Sequence, residues 1–115
     1  MTARRHLDQT FAALGDPTRL AVVSLLRKAP RRSSDLADAL STTRPTMSRH
    51  LGVLRKAGLI EESSVEDDAR ARMYRLRPER IAEVRTWVEE VEAYWAEQLG
   101  GFKAHGEKKH GRGRQ

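Results

Sequence analysis

A chain of 115 residues can form one domain with its own core, yet it is short enough that a second copy would add useful buried surface. Apolar residues make up 38% and charged residues 33%, a balance that allows a thin core, and the formal charge of +6 favours a polyanionic partner such as nucleic acid. The absence of cysteine excludes disulfides, thiolate metal sites and thiol redox switching by the chain's own side chains.

No apolar run approaches membrane-spanning length, and MTARRHLDQT carries charges where a signal peptide needs its apolar segment. A cytoplasmic protein with no membrane partner is expected. Leu7, Phe11 and Leu14 fall at i, i+4 and i+7 and predict a first amphipathic helix from Arg4 to Leu14, ended by Gly15 and packing outside the central core. Asp16 caps a second helix with Pro17 at its first position. Leu20, Val23 and Leu26, flanked by Val22 and Leu25, make that helix the expected buried support. Ala29 to Arg32 reads as a turn.

Ser33 or Ser34 is the expected cap of a short third helix whose Leu36, Ala37 and Leu40 face inward. A few polar residues then lead into the stretch STTRPTMSRHLGVLRKAG, Ser41 to Gly58. Thr43 fits an N-cap and Pro45 the first turn, where a missing N–H does no harm. Met47, Leu51 and Leu54 recur at three-four spacing toward a core, and Gly58 supplies a left-handed stop. The other face carries Arg44, Thr46, Ser48, Arg49, Arg55 and Lys56, four positive charges with no acid to pair them. Hydroxyls and arginines near a helix start can approach phosphates and base edges, and arginine can fork onto guanine. This is the pattern of a DNA recognition helix, the second helix of a helix-turn-helix.

Leu59 to Glu61 and Ala71 to Leu76 read as strands around a loop at Ser63 to Ala69, a hairpin that acts as a wing. Arg70 and Arg72 sit where they can touch phosphate or the minor groove. The predicted fold is therefore mainly α with a β-hairpin wing, in the order α-α-α-α-β-β-α. After Pro78, Ile81, Val84, Val88, Val91 and Trp95 keep nearly a three-four rhythm on a long helix from Glu79 to Leu99, and Trp87 and Tyr94 widen the stripe. Six acids against two bases leave this helix at −4, so it is expected to face away from DNA. A stripe this broad exceeds what one small domain covers. A homodimer interface is expected from Leu7, Phe11, Val84, Trp87, Val88, Val91, Tyr94 and Trp95. Residues 1–102 form the expected DNA-binding and dimerisation domain. Residues 103–115, at +4, form a basic tail expected to be disordered, which either adds salt-sensitive DNA affinity or only solubility.

FAALGDPTRLAVVSLL at Phe11 to Leu26, SDLADAL at Ser34 to Leu40, RPTMSRHLGVLRKAGLIE at Arg44 to Glu61 and RMYRL at Arg72 to Leu76 closely resemble the ArsR/SmtB family of bacterial winged-helix transcription regulators. The resemblance implies a homodimer through the first and last helices that binds an inverted-repeat operator and represses until a signal arrives. It also implies that Arg44, Thr46, Ser48, Arg49 and His50 contact DNA. Metal-sensing members carry a cysteine pair where this chain has Arg32 and Ser34, so thiophilic metals have no soft ligand there. His105, Glu107 and His110 lack the helical spacing of the histidine–carboxylate sites that other members use. No metal or other cofactor is expected, and the inducer is an unidentified small molecule, if one acts. Glu66, Asp67 and Asp68 at the wing tip would be repelled by phosphate, so the loop is expected to bend away and leave Arg70 or Arg72 as the contact.

Two other readings stay open: a winged module whose acidic last helix binds proteins, and a general DNA-coating protein. An enzyme is not expected, since there is no glycine-rich phosphate loop and no histidine–carboxylate pair at catalytic spacing.

Overall fold

The computed structural model describes residues 2–65 and 68–103, with side chains described at 6–63 and 72–100. Eight elements follow one another: α1 (Thr2–Leu14), α2 (Pro17–Leu26), β1 (Arg31–Arg32), α3 (Ser33–Ala39), α4 (Arg44–Lys56), β2 (Ile60–Val65), β3 (Asp68–Leu76) and α5 (Pro78–Lys103). By compactness the chain divides into residues 1–83 and 84–115. The first unit holds the helix-turn-helix and the sheet. In the second, the described residues continue α5 to Lys103, one residue into the segment expected as a tail; residues 104–115 lie outside the described part. No helix among the described residues is long and apolar enough to cross a membrane.

Local chemistry explains most boundaries. Asp16 accepts from the backbone N–H groups of Thr18 and Arg19 at 2.9 and 3.0 Å, starting α2 as its cap. Thr43 does the same for α4, accepting from the Thr46 N–H at 3.2 Å. The C-terminal end of α4 closes with Gly58 N–H to Arg55 C=O and Leu59 N–H to Leu54 C=O, both 3.0 Å, with Gly58 at φ +80°. α3 ends by the same two-bond device. Ser41 N–H reaches Asp38 C=O at 3.3 Å and Thr42 N–H reaches Ala37 C=O at 3.0 Å, which puts Ser41 at φ 52°.

Five sequence expectations change. The loop expected at Ser63 to Ala69 is shorter, since β2 runs to Val65 and β3 begins at Asp68. Arg31 and Arg32 are not a plain turn but an edge strand, pairing antiparallel with Tyr74 and Met73 of β3, so the sheet has three strands in the order β1-β3-β2. α3 takes Arg32 as its N-cap with no side-chain hydrogen bond, and Ser33 lies inside the helix, because Arg32 is already held extended by the strand. On α2, Leu20 is 51% exposed, while Val22, Val23 and Leu26 are buried. The core touches a face centred on 22, 23 and 26. α1 buries Thr10 and Ala13 in the core unit, and Phe11 stays 41% exposed. The face of α1 that packs on the core thus carries Thr10, Ala13 and the partly buried Leu14, not Phe11.

Leu36, Met47, Leu54, Leu59 and Ile60 are fully buried, joined by Val22, Leu26, Leu51 and Tyr74. Each large side chain withdrawn from water contributes about 1.5–3 kcal/mol. Since α4 gives Met47, Leu51 and Leu54 to this cluster, its opposite face must lie outside.

Candidate nucleic-acid interface

α4 presents its unburied face as the sequence requires. Arg44, Ser48, Arg49, Arg55 and Lys56 are exposed and Thr46 is half-buried. The side chains of Arg44, Ser48, Arg49 and Lys56 have no hydrogen bond or ion pair among the described residues. The Thr43 hydroxyl also donates to the Thr46 hydroxyl at 2.9 Å, so Thr46 is drawn into the cap. A concavity of about 400 Å³ lined by Arg49, Gly52, Val53, Arg55 and Lys56 follows this face, and Val53 within it is 41% exposed. Sequence periodicity gave no reason to single out Val53; an exposed apolar residue one turn beyond Arg49 is suited to a thymine methyl.

His50 is placed differently from its expected role. Its side chain is 18% exposed, with Nδ1 3.3 Å from Arg19 Nη1 and 3.9 Å from Asp16 Oδ2. A guanidinium can only donate, so Nδ1 accepts from Arg19 when the ring is neutral with its proton on Nε2, and faces the Asp16 carboxylate as Nδ1–H when the ring is charged. Arg19 in turn donates from Nε to the Ala13 carbonyl at 2.7 Å. The structure therefore ties His50 to the start of α2 and the end of α1, where it sets the seat of α4 rather than joining the open face.

The Arg19 and Thr18 N–H groups and the nearby His50 charge matter for Asp16. The Arg19 N–H bond is the largest influence. Working with the His50 and Arg19 charges and the Thr18 N–H, it outweighs desolvation and holds the carboxyl below its ordinary pKa. A carboxyl lowered in the folded state contributes stability above its unfolded pKa and loses it as pH falls through the folded one. Urea titrations of the wild type and Asp16→Asn across the acid range should therefore converge below the carboxylate range, with the wild type more stable above it. Parallel curves at all pH values would remove this account.

At the other end of α4, Arg55 Nη1 donates to Glu62 Oε1 at 2.7 Å, and Arg72 Nη1 lies 3.1 Å from Glu62 Oε2. The Tyr74 hydroxyl donates to Glu62 Oε1 at 2.9 Å, and burial followed by that neighbouring carboxylate raises the phenol's pKa. Arg72 and Arg55, predicted independently on wing and helix, are thus brought together by a glutamate that sequence reasoning did not select. The signal was legible only in register: Glu62 pairs with Tyr74, and Arg72 lies two residues along the same strand. Glu66, Asp67, Asp68 and Arg70, with the expected bend of the wing tip, lie outside the described side chains, as do His105, Glu107 and His110. Among the described residues no three histidine, aspartate or glutamate side chains gather as a metal site would require.

Of the expected dimer residues, Trp87, Val88, Tyr94 and Trp95 are 40%, 38%, 59% and 55% exposed on α5, and Val84 and Val91 are half-buried. Leu7 is half-buried on α1.

A helix-turn-helix domain model matches residues 14–63, the span from the end of α1 into β2. The chain is 33% identical over 102 residues to the HTH-type transcriptional regulator Rv2034 of Mycobacterium tuberculosis, covering 89% of this chain and 90% of that one. It is also 36% identical over 76 residues to the HTH-type transcriptional repressor SmtB of the same species, covering 66% of this chain and 54% of the repressor. Among solved structures, an ArsR-like transcriptional regulator from Rhodococcus sp. RHA1 superposes with a TM-score of 0.75 at 29% identity, over 94% of this chain and 99% of that one. The chain belongs to the ArsR/SmtB family of helix-turn-helix transcriptional regulators. As an ArsR/SmtB protein it is a DNA-binding transcriptional regulator of the repressor type, and its winged helix-turn-helix is the family's fold. Arg32 lies on the edge strand and Ser34 in α3, and neither side chain is a soft ligand for a thiophilic ion.

Proposed function

We propose that this regulator binds an inverted-repeat operator as a homodimer, with α4 of each subunit in successive major grooves, and that it represses by occupying promoter DNA. The observation that carries the reading is the outer face of α4, where Arg44, Ser48, Arg49 and Lys56 stand exposed on a helix that contains no carboxylate. Arg49 is the expected base reader; Arg44, Thr46 and Ser48 serve the helix start; Arg55, Arg70 and Arg72 meet flanking phosphates. His50 supports the helix from behind. Val88, Tyr94 and Trp95 are proposed to bury against a second copy, together with Val84, Trp87, Val91, Leu7 and Phe11. The chemistry is binding, with no bond-making step. A signal other than a thiophilic metal, a small molecule among the options, would act by favouring one dimer conformation over another.

Selection of duplexes from a random-sequence library by the full-length protein, followed by fluorescence anisotropy against the winner and a scrambled control, tests this. The winning duplex should be a palindrome, preferred by about a thousandfold or more. Sedimentation should give twice the 13.1 kDa chain mass. Equal binding to both duplexes would instead support a DNA-coating role, and a monomer that binds one half-site would remove the dimer.

A further inference from the structure

Two of the arginines assigned to DNA are already engaged by an anion that belongs to the protein. Arg55 leaves the last turn of α4, Arg72 leaves β3, and both guanidinium groups meet the Glu62 carboxylate on β2, at 2.7 and 3.1 Å. The carboxylate is the more enclosed partner, 23% exposed against 52% and 55% for the arginines, and Tyr74 fixes it from below with a 2.9 Å hydrogen bond. A carboxylate oxygen pair presents to arginine much the same charge and spacing as two phosphate oxygens.

We propose that Glu62 is a specificity-determining residue: it occupies Arg55 and Arg72 in place of phosphate, so that these arginines add to affinity only on a duplex that fits. On arbitrary DNA, a phosphate must displace Glu62 from the guanidinium groups and approach the Glu62 charge, so the exchange gains little. On the operator, base contacts by α4 hold the flanking phosphates at a fixed position over the junction of helix and wing, and the exchange proceeds at both arginines together. Glu62 thereby lowers the non-specific background without touching a base. The proposal rests on α4 being the groove-reading helix.

The test uses full-length protein, the library-selected duplex and its scrambled partner, with anisotropy read across a salt series. Glu62→Gln keeps the shape and the Tyr74 hydrogen bond but removes the competing charge. It should tighten binding to the scrambled duplex, steepen its log–log salt slope by about 1.8 per subunit engaged, as two added phosphate contacts require, and cut the selected-to-scrambled ratio by about tenfold. Glu90→Gln on α5 makes the same change in net charge and should not produce that steepening. In an Arg55→Gln/Arg72→Gln background, Glu62→Gln should be silent. That double arginine variant alone, whose changes lie on exposed side chains, should weaken the selected duplex while leaving scrambled binding nearly unchanged.

An unchanged slope and ratio in Glu62→Gln, an equal effect in the arginine-free background, or equal loss on both duplexes from the double arginine variant would each overturn the proposal. Should Glu62→Gln fail to fold by circular dichroism, the double arginine variant decides it. Failure of the underlying reading looks different: the wild type would then enrich no duplex, or Arg49→Ala would retain the full preference.

Discussion

Arg49→Ala is expected to weaken binding to the selected duplex by about 1–3 kcal/mol at each half-site, roughly 5- to 150-fold, and to relax the base preference at the position it reads. The reason is positional. Arg49 is exposed near the middle of α4, two residues after the buried Met47 and two before the buried Leu51, so the core fixes the direction in which it leaves the helix. It has no ion pair among the described residues, unlike Arg55 and Arg72, so its guanidinium reaches DNA without first leaving a carboxylate. Because the side chain supports nothing in the fold, thermal stability should stay within about 0.5 kcal/mol of wild type. Anisotropy with a panel of single-base variants of the selected duplex reads both effects. A uniform loss across all bases, with a salt slope lower by about 0.9, would reassign Arg49 to phosphate.

The largest effect on stability is expected from Leu54→Ala, at about 2–5 kcal/mol. Leu54 is fully buried, and its carbonyl receives the Leu59 N–H that closes α4. It belongs to the same buried cluster as Met47, Leu51, Leu59 and Ile60, so truncating it opens a void inside the core. Against a typical total of about 5–15 kcal/mol, the loss would leave a large part of the molecules unfolded at elevated temperature. Urea denaturation should show the midpoint falling steeply, while Val53→Ala, the adjacent exposed position, changes the unfolding free energy by about 0.5 kcal/mol or less. Similar midpoints for the two variants would mean that Leu54 is not the core position its burial indicates.

How much of this was legible in the sequence depended on how local the cause was. Thr43, Pro45, Asp16 and Gly58 act within one helical turn, and each appears where residue type alone placed it. The Met47, Leu51 and Leu54 face followed from periodicity, and with it the direction of Arg49. What was missed depends on contacts between distant segments. The strand at Arg31–Arg32 exists because β3 lies beside it, a partner more than forty residues away that leaves no mark on a two-residue segment. Having become a strand, it also took the capping role from Ser33. Leu20 and Val22 are equally apolar, and the packing of neighbouring helices decided which faced inward. His50 and Glu62 show the same limit in the site itself. Their types were visible, but whether a histidine meets DNA or Arg19, and whether a glutamate is free or holds two arginines, is set only once α2, α4 and the wing are brought together.

The turn between α3 and α4 is closed almost wholly by main-chain bonds: two behind Ser41 and one threonine hydroxyl ahead of Arg44. The angle between supporting helix and reading helix therefore does not depend on the outward side chains of α4. A lineage carrying this turn can exchange Arg44, Ser48 or Arg49 and acquire a new target site without rebuilding its scaffold. The same architecture leaves Ser41, at a positive φ, as a position where drift is restricted by backbone shape instead of by DNA.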